Sequence, residues 1–95
     1  MTDTLSAEEV ADSLPDGWDQ DGGEIVRTYE FDEYLDGVSF AADVGEVAQE
    51  EFHHPSIEIR YKEVEVRLTT HEADGITTQD LDLARLFNDA FASPQ

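Results

Sequence analysis

The 95 residues include no cysteine, so no disulfide, thiolate metal centre or cysteine nucleophile can form. That lack is compatible with a reducing compartment. Basic residues are also scarce. Lysine and arginine together number 5, with Lys62 the single lysine, against 24 acidic residues, for a formal charge of −19. Such a surface repels nucleic acid and anionic bilayers, because both need cationic side chains to neutralise their phosphates, so no nucleic-acid or membrane partner is expected. No window approaches the roughly 20 apolar residues of a membrane span. Met1 to Leu5 lacks the basic and apolar regions of a signal peptide, and a cytoplasmic location is expected. There is no G-x-S-x-G elbow and no HxH or HExxH spacing, and Gly22-Gly23 makes no phosphate loop.

What remains is enough for one core. At 39% hydrophobic content, a chain of this size reads as a single domain over residues 1–95. Three explanations compete for the acidity: disorder, adaptation to concentrated salt, and mimicry of nucleic acid. Disorder fails because the apolar residues are periodic rather than sparse. The carboxylates are spread along the chain rather than gathered in a block, which favours a solvated, halophilic coat. At about 1 M salt the Debye length is roughly 3 Å, so mutual repulsion among the carboxylates is mostly screened. The thermal midpoint is therefore expected to fall when KCl is reduced from molar to millimolar, and an unchanged midpoint contradicts the halophilic reading.

Periodicity sets the element order. Ser6-Ala7-Glu8-Glu9 has capping-box spacing with Leu5 and Val10 as the staple, which predicts a short helix toward Leu14 that Pro15 ends. Trp18 opens an edge strand. Asp21-Gly22-Gly23 turns the chain into Glu24 to Phe31, where Ile25, Tyr29 and Phe31 share a face. From Asp32 the spacing changes to three and four, predicting a long helix with a stripe of Leu35, Val38, Ala42, Gly45 and Ala48. Gly37 and Gly45 inside it suggest close packing on the sheet or a partner. Ile57, Ile59 and Tyr61, then Val64, Val66 and Leu68, alternate as two half-buried strands joined too tightly for a helical crossover, hence antiparallel. Asp74-Gly75 turns the chain again, and Thr77-Thr78-Gln79-Asp80 starts a last helix with a stripe of Leu83, Ala84, Phe87 and Phe91. The fold class is α+β, in the order α-β-β-α-β-β-α, with helices on one face of an antiparallel sheet.

All three histidines fall in two short pieces, Phe52-His53-His54-Pro55 and Thr70-His71-Glu72. Imidazole is the side chain whose ordinary pKa, about 6.5, lies where protons move freely near neutral pH. His54 precedes proline and is biased to extended backbone, where neighbouring side chains point to opposite sides, so His53 and His54 cannot both aim at one atom. Because the two intervening strands form a hairpin, the residues before the first and after the second lie at the same end of the sheet, and the three imidazoles can converge there. A three-histidine zinc site is a rival, but adjacent His53 and His54 are poorly arranged for it. Ordinary surface or capping histidines are the bland alternative. Trp18, Tyr29 and Tyr34 suit core positions better than a stacking wall.

The run His53-His54-Pro55, two alternating strands, Thr70-His71-Glu72, Gly75, and then Asp80 with Leu83-Ala84 resembles the signature of pterin-4a-carbinolamine dehydratases. Leu5-Ser6-Ala7-Glu8-Glu9 and Gly17-Trp18 resemble the family's opening, so the likeness spans nearly the whole chain. It implies a four-stranded antiparallel sheet with packed helices, assembly as a homodimer or homotetramer, and a hydro-lyase reaction without metal or cofactor. In that reaction a 4a-hydroxytetrahydrobiopterin-type carbinolamine, left by an aromatic amino acid hydroxylase, loses water to give quinonoid dihydropterin. The resemblance implies a pterin pocket lined by Phe52, His53, His54, Thr69, Thr70, His71 and Glu72, with His54 and His71 as the acid/base pair and His53 binding and orienting substrate. Asp80 is better read as a helix-start residue. The sequence departs from the family pattern at Phe52, where a polar residue is frequent, at Ile57, where an aromatic is common, and at Gln49, in place of glutamate. A non-catalytic pterin-binding or dimerisation factor is the alternative function.

Overall fold

The computed structural model describes residues 4–92, and the first residues of the Met1 to Leu5 segment lie outside that range. Helix α1 covers Ala7–Ser13, with the expected capping box: Ser6 Oγ accepts from the Glu9 N–H, and the Glu9 carboxylate accepts from the Ser6 N–H. Strands β1 (Asp19–Asp21) and β2 (Glu24–Glu30) form the first hairpin, α2 runs over Tyr34–Glu50, β3 (Ser56–Ile59) and β4 (Glu63–Leu68) form the second, and α3 runs over Thr78–Ala92. The sheet is antiparallel throughout in the order β1-β2-β4-β3. The α-β-β-α-β-β-α order and the α+β class are as the periodicity predicts.

Strand alternation explains the layering. Val64, Val66 and Leu68 on β4 and Ile25 and Tyr29 on β2 are buried with Phe40, Val44 and Ala48 of α2 and Leu83, Ala84 and Phe87 of α3. Glu65 and Arg67 have the opposite parity, and Arg67 reaches Asp21 and Glu24 across the sheet and Glu65 along its own strand. Hydrogen bonds from Arg67, and then from Arg60, hold the Glu65 carboxyl below its ordinary range. Trp18 and Tyr29 are core, as expected, and Tyr34 is exposed. Trp18 Nε1, Arg27 Nη1 and the Tyr29 hydroxyl all donate to Asn88 Oδ1, which ties the first hairpin to α3. Burial pushes the Tyr29 phenol from 10.0 up to about 12. Its neutral form is favoured in the fold, so its contribution to stability is complete below pH 10 and lost as pH rises through about 12. Chemical denaturation across that interval is expected to show falling stability in the wild type and a weaker dependence in Tyr29→Phe.

Two expectations need correction. The buried face of α2 is Gly37, Phe40, Ala41, Val44 and Ala48; of the predicted stripe only Ala48 is buried, and Leu35 is 72% exposed. Both sets satisfy helical spacing, but the observed one puts the ring of Phe40 against Tyr29 and Phe31. A Cβ on Gly37 would meet Val64 Cγ2 at 3.3 Å, so this glycine does permit close approach to the sheet. Gly45 meets nothing within 4 Å. The second correction concerns β3. Ile57 is half-buried, while Ile59 and Tyr61 are exposed, because β3 is the sheet's outer strand and ends at Ile59.

Candidate active site

The second hairpin sets the site. Ser56 pairs with Arg67, so continuing the antiparallel register brings His54 and His53 abreast of Thr69 and Thr70. A single carboxylate then joins the two segments. Asp80, fully buried in the first turn of α3, accepts at Oδ1 from His53 Nε2 at 2.5 Å and at Oδ2 from the Thr70 hydroxyl at 2.8 Å and the Thr77 backbone N–H at 2.9 Å. With its proton given to Asp80, the Thr70 oxygen accepts from the Thr77 hydroxyl at 2.8 Å. An ionised carboxylate only accepts, so this pattern assigns a proton to His53 Nε2 and holds its ring in one orientation.

His54 lies on the other side of the extended segment, exposed, with Nε2 3.0 Å from Gln49 Oε1. An amide oxygen is an acceptor, so this bond puts a proton on Nε2, and Gln49 supplies a neutral partner where glutamate would supply a charged one. His71 begins a short 3-10 turn, His71–Ala73, directly after Thr70; His71 and Glu72 are exposed. Thr69 donates its hydroxyl to the Gly23 carbonyl at 2.7 Å, toward the first hairpin. The structure thus links His53 to Thr70 through one carboxylate and leaves His54 and His71 open to solvent at the same end of the sheet. Thr70 commits its hydroxyl internally.

Phe52 has an unusual backbone. Helix α2 ends in a Schellman motif: the His53 N–H reaches the Ala48 carbonyl at 3.1 Å and the Phe52 N–H the Gln49 carbonyl at 3.4 Å. The motif needs a left-handed residue, usually glycine, and Phe52 occupies that place with φ 55°. For an L-residue the conformation costs about 1 kcal/mol. The side chain is 87% exposed, so packing within the chain returns little of that cost.

Asp80 is the residue sequence reasoning placed without its partner. Its capping role is real, since it accepts from the Thr77 N–H, but it also anchors His53. The available signal was the Thr77-x-x-Asp80 spacing, which points an acid back toward the chain entering the helix. Among the described residues no cluster of three or more histidine, aspartate or glutamate side chains is arranged to hold a metal. A depression of about 600 Å³ lies at the other end of the sheet, lined by Glu30, Phe31, Asp32, Arg60, Tyr61, Lys62 and Glu63. Its Arg60 is already paired with Glu58, Glu63 and Glu65, and no imidazole lines it.

Fold and site define a small α+β domain with one carboxylate-anchored histidine, His53, at the end of its sheet. The chain belongs to the pterin 4 alpha carbinolamine dehydratase family, whose pattern it matches over residues 3–90. It is 58% identical over 89 residues to a Halobacterium salinarum protein named "Putative pterin-4-alpha-carbinolamine dehydratase", covering 94% of this chain and 98% of that one. A protein of the same name from Natronomonas pharaonis is 55% identical over 89 residues, covering 94% and 97%. A crystal structure described as a transcriptional coactivator/pterin dehydratase from Brucella melitensis superposes with a TM-score of 0.86 at 29% identity, covering 93% of this chain and 98% of that chain. A pterin dehydratase-like protein identified as a RuBisCO assembly factor in the alpha-carboxysome shares the fold, with a TM-score of 0.66 at 14% identity over 81% of this chain and 89% of that one. No helix among the described residues is long and apolar enough to cross a membrane.

Proposed function

We propose that this protein is a pterin-4a-carbinolamine dehydratase that uses its histidines as acid and base, acting on 4a-hydroxytetrahydrobiopterin or a close relative. Family membership over residues 3–90 supports the class. The observation that carries the mechanism is the Asp80 carboxylate shared by His53 and Thr70, because it ties both histidine segments to one end of the sheet.

The reaction removes a hydroxyl from C4a and a proton from a ring nitrogen. One imidazole, in its cationic form, gives its proton to the departing hydroxyl, which leaves as water. A second, neutral imidazole takes the ring N–H proton, and the nitrogen electron pair forms the new double bond to C4a, giving quinonoid dihydropterin. His54 and His71 are exposed to substrate and take these two roles. His53, held by Asp80, orients the bicycle, and Glu72 accepts from the pterin edge; Phe52, Thr69 and Thr70 complete the surroundings. The chemistry needs no metal or cofactor, since its charge changes are proton transfers. Pterin recycling beside an aromatic amino acid hydroxylase, in a cytoplasmic homodimer or homotetramer, is the setting this reading implies.

The test is direct. Freshly prepared 4a-hydroxytetrahydrobiopterin is followed by ultraviolet absorbance in molar KCl. Its decay should be accelerated in proportion to protein concentration. Decay at the protein-free rate would leave the rival reading, a non-catalytic pterin-binding or dimerisation factor.

A further inference from the structure

We infer that Phe52 is a stacking residue for the flat pterin ring and sets substrate affinity, a role that rests on the dehydratase reading above. Three observations lead there. Phe52 sits where the helix-ending motif calls for glycine, with φ 55°. Its side chain, 87% exposed, is the most exposed of the large apolar side chains among the described residues. It is flanked by site residues: His53 follows it directly, and Gln49, whose carbonyl accepts from the Phe52 N–H, binds His54 through its side chain.

The first two features work against folding, and all three suit binding. A strained backbone at a site, with little packing in the fold to offset it, points from the outlier to a function. The end of α2 is also fastened, because Gln79 Nε2 donates to the Glu51 carbonyl at 3.4 Å across to α3. The ring is therefore presented from a held backbone at the end of the sheet that carries His53 and His54. A flat heteroaromatic bicycle is the ligand chemistry that an exposed phenyl ring recognises, through its π face and apolar area, without hydrogen bonds. Polar groups of the pterin edge are left to Glu72 and the imidazoles.

The experiment measures stability and steady-state dehydration of 4a-hydroxytetrahydrobiopterin for wild type, Phe52→Gly, Phe52→Leu and Phe52→Tyr in molar KCl. Aromatic stacking on a flat base contributes enough that KM should rise by about 10-fold in Phe52→Gly. The loss should fall on KM, with kcat within about twofold, while relief of the left-handed strain raises the thermal midpoint by about 5 °C. Phe52→Leu should show a raised KM as well, and Phe52→Tyr should keep the wild-type KM. A wild-type KM in Phe52→Gly overturns the inference, and so does a wild-type KM in Phe52→Leu, since leucine has no π face. Failure of the wild type itself to accelerate the reaction overturns the dehydratase reading and this inference with it. Turnover by wild type with unaltered variants overturns this inference alone.

Discussion

Asp80→Ala is expected to destabilise the protein by about 3 to 5 kcal/mol, because several buried donors lose their acceptor at roughly 1 to 3 kcal/mol each. The carboxylate is fully buried and receives three donors, from His53, the Thr70 hydroxyl and the Thr77 N–H. Alanine removes the acceptor they share, and the Thr77 N–H is one of the orphan donors of a helix start. In a domain of this size the thermal midpoint should drop by about 15 °C or more. Asp80→Asn separates charge from shape. It keeps the volume but turns an amide NH2 toward at least one donor, so an intermediate loss of about 2 kcal/mol is expected. His53 loses its carboxylate anchor in both variants, so kcat should fall along with stability. Urea unfolding of the wild type and the two variants in molar KCl checks the order. If Asp80→Ala unfolds within about 0.5 kcal/mol of wild type, the buried network does not hold the site together.

The second large effect has the opposite signature. His54→Ala and His71→Ala should each lower kcat by about 10²-fold or more, the contribution expected of a positioned acid or base, with stability within about 0.5 kcal/mol of wild type, as for exposed positions. Both side chains are exposed, and His54 has one hydrogen bond, to Gln49, to lose. The double variant should lose little beyond the worse single one when both groups act in one step. Stopped mixing with 4a-hydroxytetrahydrobiopterin gives the rates, and the same samples unfolded in urea give the stabilities. A variant that loses stability as much as activity has lost structure rather than chemistry.

The element order was readable because each segment had a clear period and a clear stop. Ser6 and Glu9 made their capping box as spaced, Pro15 lies just past α1, and the alternation of Val64, Val66 and Leu68 placed β4 with the correct face inward. Helix α2 was harder. Its apolar residues cover more than one face, and periodicity alone does not say whether the stripe containing Leu35 or the one containing Phe40 meets the sheet; ring packing against Tyr29 and Phe31 decides it. The exposure of Ile59 and Tyr61 depended on strand order, a long-range property that alternation within β3 does not carry.

At the site, the placement of the His53-His54 and Thr70-His71 segments at one end of the sheet was legible from hairpin geometry. The opposed directions of His53 and His54 followed from the extended backbone before Pro55, and one is indeed buried and the other exposed. The anchoring of His53 was not legible, since His53 and Asp80 lie 27 positions apart and meet only after α3 has packed on the sheet. The left-handed backbone of Phe52 was hidden for a related reason. Glycine or asparagine there would have announced the helix end, and phenylalanine does not.

The central claim is that His53, His54 and His71 surround one pterin. Imidazole nitrogen and carbon resonances of a histidine-labelled sample, titrated with 7,8-dihydrobiopterin as a product-like ligand, test it most directly. The account predicts that all three ring systems shift along curves with one common Kd. Shifts confined to His53 and His54, with His71 unmoved at saturation, would contradict it.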